Sequence, residues 1–271
     1  MHLTRTVIKE LLEQFGLAPS RALGQNFLCD PMMIDKIVRL GDVAEGDKVV
    51  EIGPGLGSLT LGLCKAGAEV KAVEIDKYII PALSHVIAEG SYQEQVNVIN
   101  EDITKLDWGF LGASDWKVIA NLPYNIATPI ILDLLREQAQ LKTWVVMVQK
   151  EAGERLVAES GSKIYGIPSV LAKYWADLKI VGKVPAELFY PKPRVESVLV
   201  RIDRRLDIQS EIEFSKLALL VRAGFAKRRK MLRKSLEQHL SSDEIMSQGV
   251  DPQARAETLS LDDWKRLTTL I

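Results

Sequence analysis

Three short stretches hold residue types whose spacing suits one ligand. In VVEIGPGLGSLT, Gly53, Gly55 and Gly57 follow an apolar run and precede a helical pattern. Glycines in such a place let the backbone turn tightly and set a ligand against bare amides at a helix N-terminus. The spacing is G-x-G-x-G, preceded by Glu51; Ser58 stands where a dinucleotide fingerprint wants its third glycine. In AVEID, Glu74 and Ile75 close the next apolar run. A carboxylate there, about twenty residues beyond the loop, can take both ribose hydroxyls of a nucleoside. In VINEDI, Asp102 and Ile103 close a third run, and an acidic residue there can accept from an adenine amino group. Three polar strand ends at one carboxyl edge form the crevice in which open α/β sheets bind ligands. Glu74 by itself fits NAD as well as S-adenosylmethionine, and solvated carboxylates at ordinary strand-to-helix turns are the plain alternative.

A fourth run, VIANLPYN, stops on Asn121-Leu122-Pro123-Tyr124. The exocyclic amine of adenine is a poor nucleophile because its lone pair is delocalised into the ring. Two acceptors aimed at its hydrogens draw the nitrogen toward tetrahedral geometry and free that pair. The Asn121 side-chain oxygen and the Leu122 carbonyl are the candidates. Pro123 has a fixed φ and biases Leu122 toward an extended conformation that points its carbonyl outward. Tyr124 offers a face on which an extruded base can stack. No strong general base is needed, since the amine can lose its proton to water after methyl transfer. Asn and Pro also end strands in plain turns, so the tetrapeptide gains its meaning from the glycine loop beside it.

These residues need a sheet to hold them. Strands are expected over Lys48–Ile52, Glu69–Val73, Val96–Asn100, Lys117–Asn121, Thr143–Val148, Leu178–Lys183 and Val195–Ile202, with amphipathic segments between most of them. One such segment opens on Asp30-Pro31, a good N-cap followed by a proline suited to the first turn. The alternation implies an α/β fold with a mostly parallel sheet covered on both faces and an antiparallel edge. Beyond about Arg205 only helices are expected, over Glu211–Ala223, Lys227–His239, Ser242–Gln248 and Leu261–Leu270, with a capping box at Ser241-x-x-Glu244. Two domains are therefore expected, 1–205 and 206–271.

The chain has 271 residues, 47% of them hydrophobic, and a net charge of −1. No apolar run approaches the length of a membrane span, and the amphipathic, partly acidic N-terminus is unlike a signal or transit peptide. No membrane partner and a cytoplasmic location are the expectations. Two cysteines and three histidines, widely separated, argue against a disulfide scaffold, a metal site or a Ser-His-Asp triad. No long apolar surface helix demands a partner, so a monomer is expected. From Arg222 to Lys234 there are seven basic residues and no acidic one. Read as a helix, this stretch puts Phe225, Leu232 and Leu236 on one stripe and leaves Lys227, Arg229, Lys230, Arg233 and Lys234 to solvent. Arg222 and Arg228 complete the set. A solvated basic face is the ordinary reading; contact with a polyanion is the functional one.

The motifs together resemble the KsgA/RsmA family of small-subunit ribosomal RNA adenine dimethyltransferases. LGQNFL, EIGPGLGSLT, VEID, NEDI, NLPYNIATPII, MVQKEAGERL and FYPKPRVESV stand in family order. The resemblance implies a Rossmann-like methyltransferase domain with a seven-stranded sheet, followed by a small helical RNA-binding domain. It implies S-adenosylmethionine as cofactor and two methyl groups on N6 of each of two adjacent adenosines. These lie in the 3′-terminal hairpin loop of small-subunit rRNA, in an immature ribosomal particle. Carried over by motif, Asn26 and Leu28 line the donor site beside Gly53, Glu74, Asp102 and Asn121, and Phe189 forms a second aromatic wall opposite Tyr124. Gly153 departs from the family, where a bulkier helical residue is expected. Three other readings are a macrolide-resistance-type methyltransferase acting on large-subunit RNA, an assembly factor whose main work is RNA binding, and a dinucleotide oxidoreductase.

Overall fold

A computed structural model describes residues 2–20, 22–124, 126–205, 211–227 and 229–271; the side chains of 211 and 212 are outside that description. Its contacts divide the chain into one unit of residues 1–153 and 179–203 and a second of 154–178 and 204–271. The first unit is built on β1 (Lys48–Ile52), β2 (Glu69–Glu74), β3 (Val96–Asn100), β4 (Trp116–Asn121), β5 (Leu141–Gln149), β6 (Ala176–Val184) and β7 (Ser197–Arg204). They lie in the order β3-β2-β1-β4-β5-β7-β6. β1 to β5 run parallel, and β7 pairs antiparallel with β5. The fold is the mostly parallel, Rossmann-like α/β architecture expected, with its antiparallel strand toward one edge.

The parallel strands read as continuous apolar runs because helices cover both sheet faces. Val49, Val50, Val118, Ile119, Val145 and Val146 are fully buried. The helix Pro31–Leu40 begins as its sequence dictates, with the Asp30 carboxylate accepting from the Met33 amide at 2.7 Å and Pro31 in the first turn. Strand order reverses between β1 and β4. Both strands therefore deliver their following loops to the same crevice, with chain leaving in opposite lateral directions.

The glycine at 153 has a packing reason. The helix Lys150–Val157 crosses so closely over β5 and β7 that a Cβ at Gly153 would overlap a Val198 methyl and crowd Val148 and Val200. The bulkier residue expected there has no room.

The second unit departs from the expected division at 205. It also contains residues 154–178. The helix Ile167–Trp175 buries Val170, Leu171, Ala172, Tyr174 and Trp175. In the structure Tyr174 and Trp175 pack their rings against Phe214, at centroid distances of 5.4 and 5.1 Å. Tyr165 donates its hydroxyl to the Leu259 carbonyl at 2.9 Å and meets Phe225 edge-on. Ser241 and Glu244 form the expected reciprocal capping box. No helix among the described residues is long and apolar enough to cross a membrane.

Gly153→Ala should be unfavourable although alanine is the better helix former. The roughly 1 kcal/mol gained in propensity is outweighed by overpacking worth about 1–3 kcal/mol. A lowered midpoint in urea denaturation is the expected result, and a raised one would contradict this packing.

Candidate active site

The loops after β1, β2, β3 and β4 and the segment Leu23–Leu28 enclose one cleft of about 980 Å³, its open mouth included. Asn26, Leu28, Glu51, Gly53, Gly55, Glu74, Ile75, Asp102, Ile103, Asn121, Leu122, Pro123 and Tyr124 all line it. The spacing arguments thus lead to one place.

The glycine loop is fixed by its neighbours as much as by its own torsions. Gly55 has φ +58°, and a Cβ there would stand 3.1 Å from the Phe27 ring. Its amide donates to Glu74 Oε2 at 3.1 Å, and the Asp76 amide donates to Oε1 at 2.9 Å. A carboxylate offers about four lone-pair sites, so acceptor capacity remains for a ligand. Burial raises the Glu74 pKa despite those two donors. Asn100 Nδ2 donates to the Glu74 carbonyl at 2.8 Å and steadies the strand end.

Glu51 is 1% exposed and takes a 2.6 Å bond from the Thr60 hydroxyl. Burial pushes its pKa up to about 8; the Thr60 bond opposes this and the neighbouring Glu74 charge adds to it. Asp102 is the opposite case. Its Oδ1 accepts from the Thr104 amide and hydroxyl at 2.9 and 2.8 Å, which lowers its pKa and keeps it ionised.

Asn121 ends β4 in register with Met147 of β5, and the Leu122 amide donates to the Met147 carbonyl at 3.1 Å. Asn121 Nδ2 donates to the Asn26 carbonyl at 3.1 Å. A carbonyl can only accept, so the amide's NH₂ must face Asn26 and its oxygen is left as the acceptor. Asn26 is held from both sides. Gln25 donates to Asp76 Oδ2 at 2.8 Å and accepts from the Ser20 amide at 2.7 Å. Phe27 and Leu28 pair antiparallel with Tyr190 and Phe189.

That ladder corrects one expectation. Phe189 is fully buried, in the core cluster with Leu28, Met147 and Leu199, and is not among the residues lining the cleft. The motif spacing is unchanged, but an apolar ring one strand from the sheet gains more from the core than from solvent. Tyr124 does reach the cleft, half-buried, with its hydroxyl 2.7 Å from Ser197 Oγ.

Among the lining residues that the sequence reading did not single out as site residues are Gln25 and Ser58. Gln25 sits inside LGQNFL with nothing to mark it from its neighbours. Ser58 begins the helix Ser58–Lys65, is 8% exposed, lines the cleft, and its hydroxyl has no partner among the described residues. Its signal was the very departure from the dinucleotide fingerprint, which puts a hydroxyl where a glycine was wanted.

Residues 18–271 match the family model described as ribosomal RNA adenine dimethylase. The chain belongs to the ribosomal RNA adenine dimethylase family. Within it, the chain is 42% identical to ribosomal RNA small subunit methyltransferase A of Cutibacterium acnes, over 96% of this chain and 91% of that protein. It is 41% identical to the protein of that name from Mycobacterium avium, over 98% and 86% of the two chains. A dimethyladenosine transferase of Plasmodium falciparum shares the fold at a TM-score of 0.78 and 24% identity, over 89% of this chain and 95% of that one. The 23S rRNA methyltransferase ErmE does so at 0.72 and 23%, over 90% and 98%. An adenine dimethylase needs a donor site and an amine-holding site side by side, and here the glycine loop and Glu74 line the same cleft as Asn121.

The basic stretch of this dimethylase-family chain is not the expected helix over 227–239. A helix runs Glu211–Ala226, Lys227 and residues 229–231 are non-helical, and Leu232–Ser235 forms one further turn. The amides of Leu232 and Arg233 donate to the carbonyls of Ala254 and Pro252, at 2.8 and 3.0 Å, instead of to their own helix. Arg222, Lys227, Arg229, Lys230, Arg233 and Lys234 are nonetheless exposed, while Leu232 and Leu236 are buried. Arg228 lies outside the described residues. Just past the stretch, Glu237 faces Lys227 at 3.4 Å and Lys234 at 3.7 Å. Arg222, Arg229, Lys230 and Arg233 remain the charges most open to a polyanion.

Glu51 gives the fold a pH dependence. Its raised pKa means that the folded chain keeps a proton the unfolded chain loses above about 4.5. Stability from this group is complete below that pH and declines as pH rises toward 8, by up to about 1.4 kcal/mol per unit. Glu51→Gln, which keeps an acceptor for Thr60, should flatten this slope and be more stable than the wild type at pH 8. Urea denaturation at pH 6 and 8 measures both, and an unchanged slope would contradict the assignment.

Proposed function

We propose that this chain is an S-adenosylmethionine-dependent methyltransferase of small-subunit rRNA. In this reading it places two methyl groups on N6 of each of two adjacent adenosines in the 3′-terminal hairpin loop, in an immature particle. The observation that carries the reading is the Asn121 amide, turned by the Asn26 carbonyl so that its oxygen is the acceptor, in the same cleft as Glu74.

The residues present fit the cofactor. Glu74 retains acceptor sites for the ribose hydroxyls. Ile75, 53% exposed at the cleft, and Ile103 offer apolar walls for the adenine, with Asp102 to accept from its amino group. Glu51 suits the ammonium of the amino-acid end, a cation that favours its ionised form. The unpartnered Ser58 hydroxyl at a helix N-terminus suits the carboxylate. When bound, S-adenosylmethionine supplies an electrophilic methyl group.

The chain's own part is to hold the acceptor amine. The Asn121 side-chain oxygen and the Leu122 carbonyl accept its two hydrogens and localise the nitrogen lone pair. Burial pushes the Tyr124 phenol pKa up, so it stays neutral and its ring serves as a stacking face. Water takes the released proton, since no residue of the tetrapeptide is a base. After a first transfer, one N6 hydrogen and one acceptor pairing remain, sufficient to orient the second.

The curated relatives named for the small subunit support that substrate over large-subunit RNA. In the second unit, Arg222, Arg229, Lys230 and Arg233 would contact phosphate, with sequence selection left to the cleft.

Asn121→Ala should reduce methyl incorporation into unmethylated small-subunit particles by about a hundredfold or more, with particle binding retained. Incorporation near the wild-type rate would remove the reading. Arg229→Ala with Lys230→Ala should weaken particle binding and lower the slope of log affinity against log salt by about one to two. An unchanged slope would place the phosphate contacts elsewhere.

A further inference from the structure

Ser197 is the first residue of β7 and pairs across the antiparallel ladder with Gln149, the last residue of β5. On its other side β5 pairs with β4, where Met147 meets Asn121. The serine closing the F-x-P-x-P-x-V-x-S motif thereby arrives at the same sheet edge as the tetrapeptide. It is fully buried, and its Oγ lies 2.7 Å from the Tyr124 hydroxyl. Among the described residues each hydroxyl has the other as its partner. Both ends of the pair are tied at the backbone. The Leu122 amide is bonded to the Met147 carbonyl, and the Lys150 amide donates to the Glu196 carbonyl at 3.0 Å.

A tyrosine ring turns about two side-chain torsions. Pro123 restrains the backbone before Tyr124 but leaves those torsions free, so a bond at the far end of the ring is what fixes its plane. We infer that Ser197 is a positioning residue, whose buried hydroxyl holds the Tyr124 ring at the orientation from which it stacks on the target adenine. The inference rests on the stacking role proposed for Tyr124. It also gives the motif a different use from the one its phenylalanine suggested: Phe189 anchors the ladder beside Asn26, and Ser197 sets the ring.

The test is a double-mutant cycle in the full-length protein, with unmethylated small-subunit particles as substrate. Ser197→Ala and Tyr124→Phe each remove the same bond from one side. Each should lower kcat about tenfold, with the Kd for S-adenosylmethionine and the KM for particles changed by less than about twofold. The double variant should be no slower than either single one. A wild-type kcat in Ser197→Ala overturns the inference. So does an equal further loss when Ser197→Ala is added to Tyr124→Phe, since the serine would then act through packing alone. Should Ser197→Ala fail to fold, Tyr124→Phe decides by itself, and a wild-type rate there overturns the inference. Tyr124→Ala separates the two levels. Undiminished methylation in that variant would remove the stacking role itself, whereas a large loss there with Ser197→Ala unaffected would sink only the positioning role.

Discussion

The hydrogen bond from the Asn121 side chain to the Asn26 carbonyl is the constraint on which the site turns. An unconstrained asparagine can present either its oxygen or its NH₂ to a ligand, and the two have opposite effects on an approaching amine. Engaging the NH₂ with a carbonyl fixes the choice before any ligand arrives. Much of the first unit can be understood as supporting that carbonyl: Gln25 tied to Asp76 and Ser20, the two-residue ladder from Phe27 to Tyr190, and Phe27 against bare Gly55. The glycine loop, Glu74's neighbour Asp76 and Asn121 are thus tied together through one segment of chain, not merely adjacent.

Much of this was legible in the sequence because it is local. Strand ends, the glycine spacing, Asp30-Pro31 and the Ser241–Glu244 box each depend on residues within a few positions of each other. The cleft-lining strand ends follow once the strands are known to be parallel, since parallel strands share one carboxyl edge. What escaped depends on distant partners. Phe189 went to the core because Leu28 and Leu199 offer it burial. The helix over 227–239 broke because Ala254 and Pro252 accept the amides that should have propagated it. Gly153 looked weak for its helix until Val198 stood over it. Residues 154–178 follow the rings of Phe214 and Phe225, which an amphipathic pattern cannot specify.

The cleft also separates its carboxylates by environment. Asp102, hydrogen-bonded by Thr104 near solvent, stays ionised, while Glu51 behind the glycine loop is raised to about 8. A ligand with a cation at one end and an uncharged amine at the other would meet a buried carboxyl able to ionise for it and a permanently charged acceptor. Burial raises the one, and the Thr104 hydrogen bonds lower the other.

The most direct measurement is a crystal structure of the chain with S-adenosylhomocysteine and an adenosine-bearing RNA oligonucleotide. The account expects the adenine N6 about 3 Å from both Asn121 Oδ1 and the Leu122 carbonyl oxygen, with the Asn26 bond intact. An N6 that instead faces the Asn121 NH₂, or lies beyond about 4 Å from both oxygens, would contradict it.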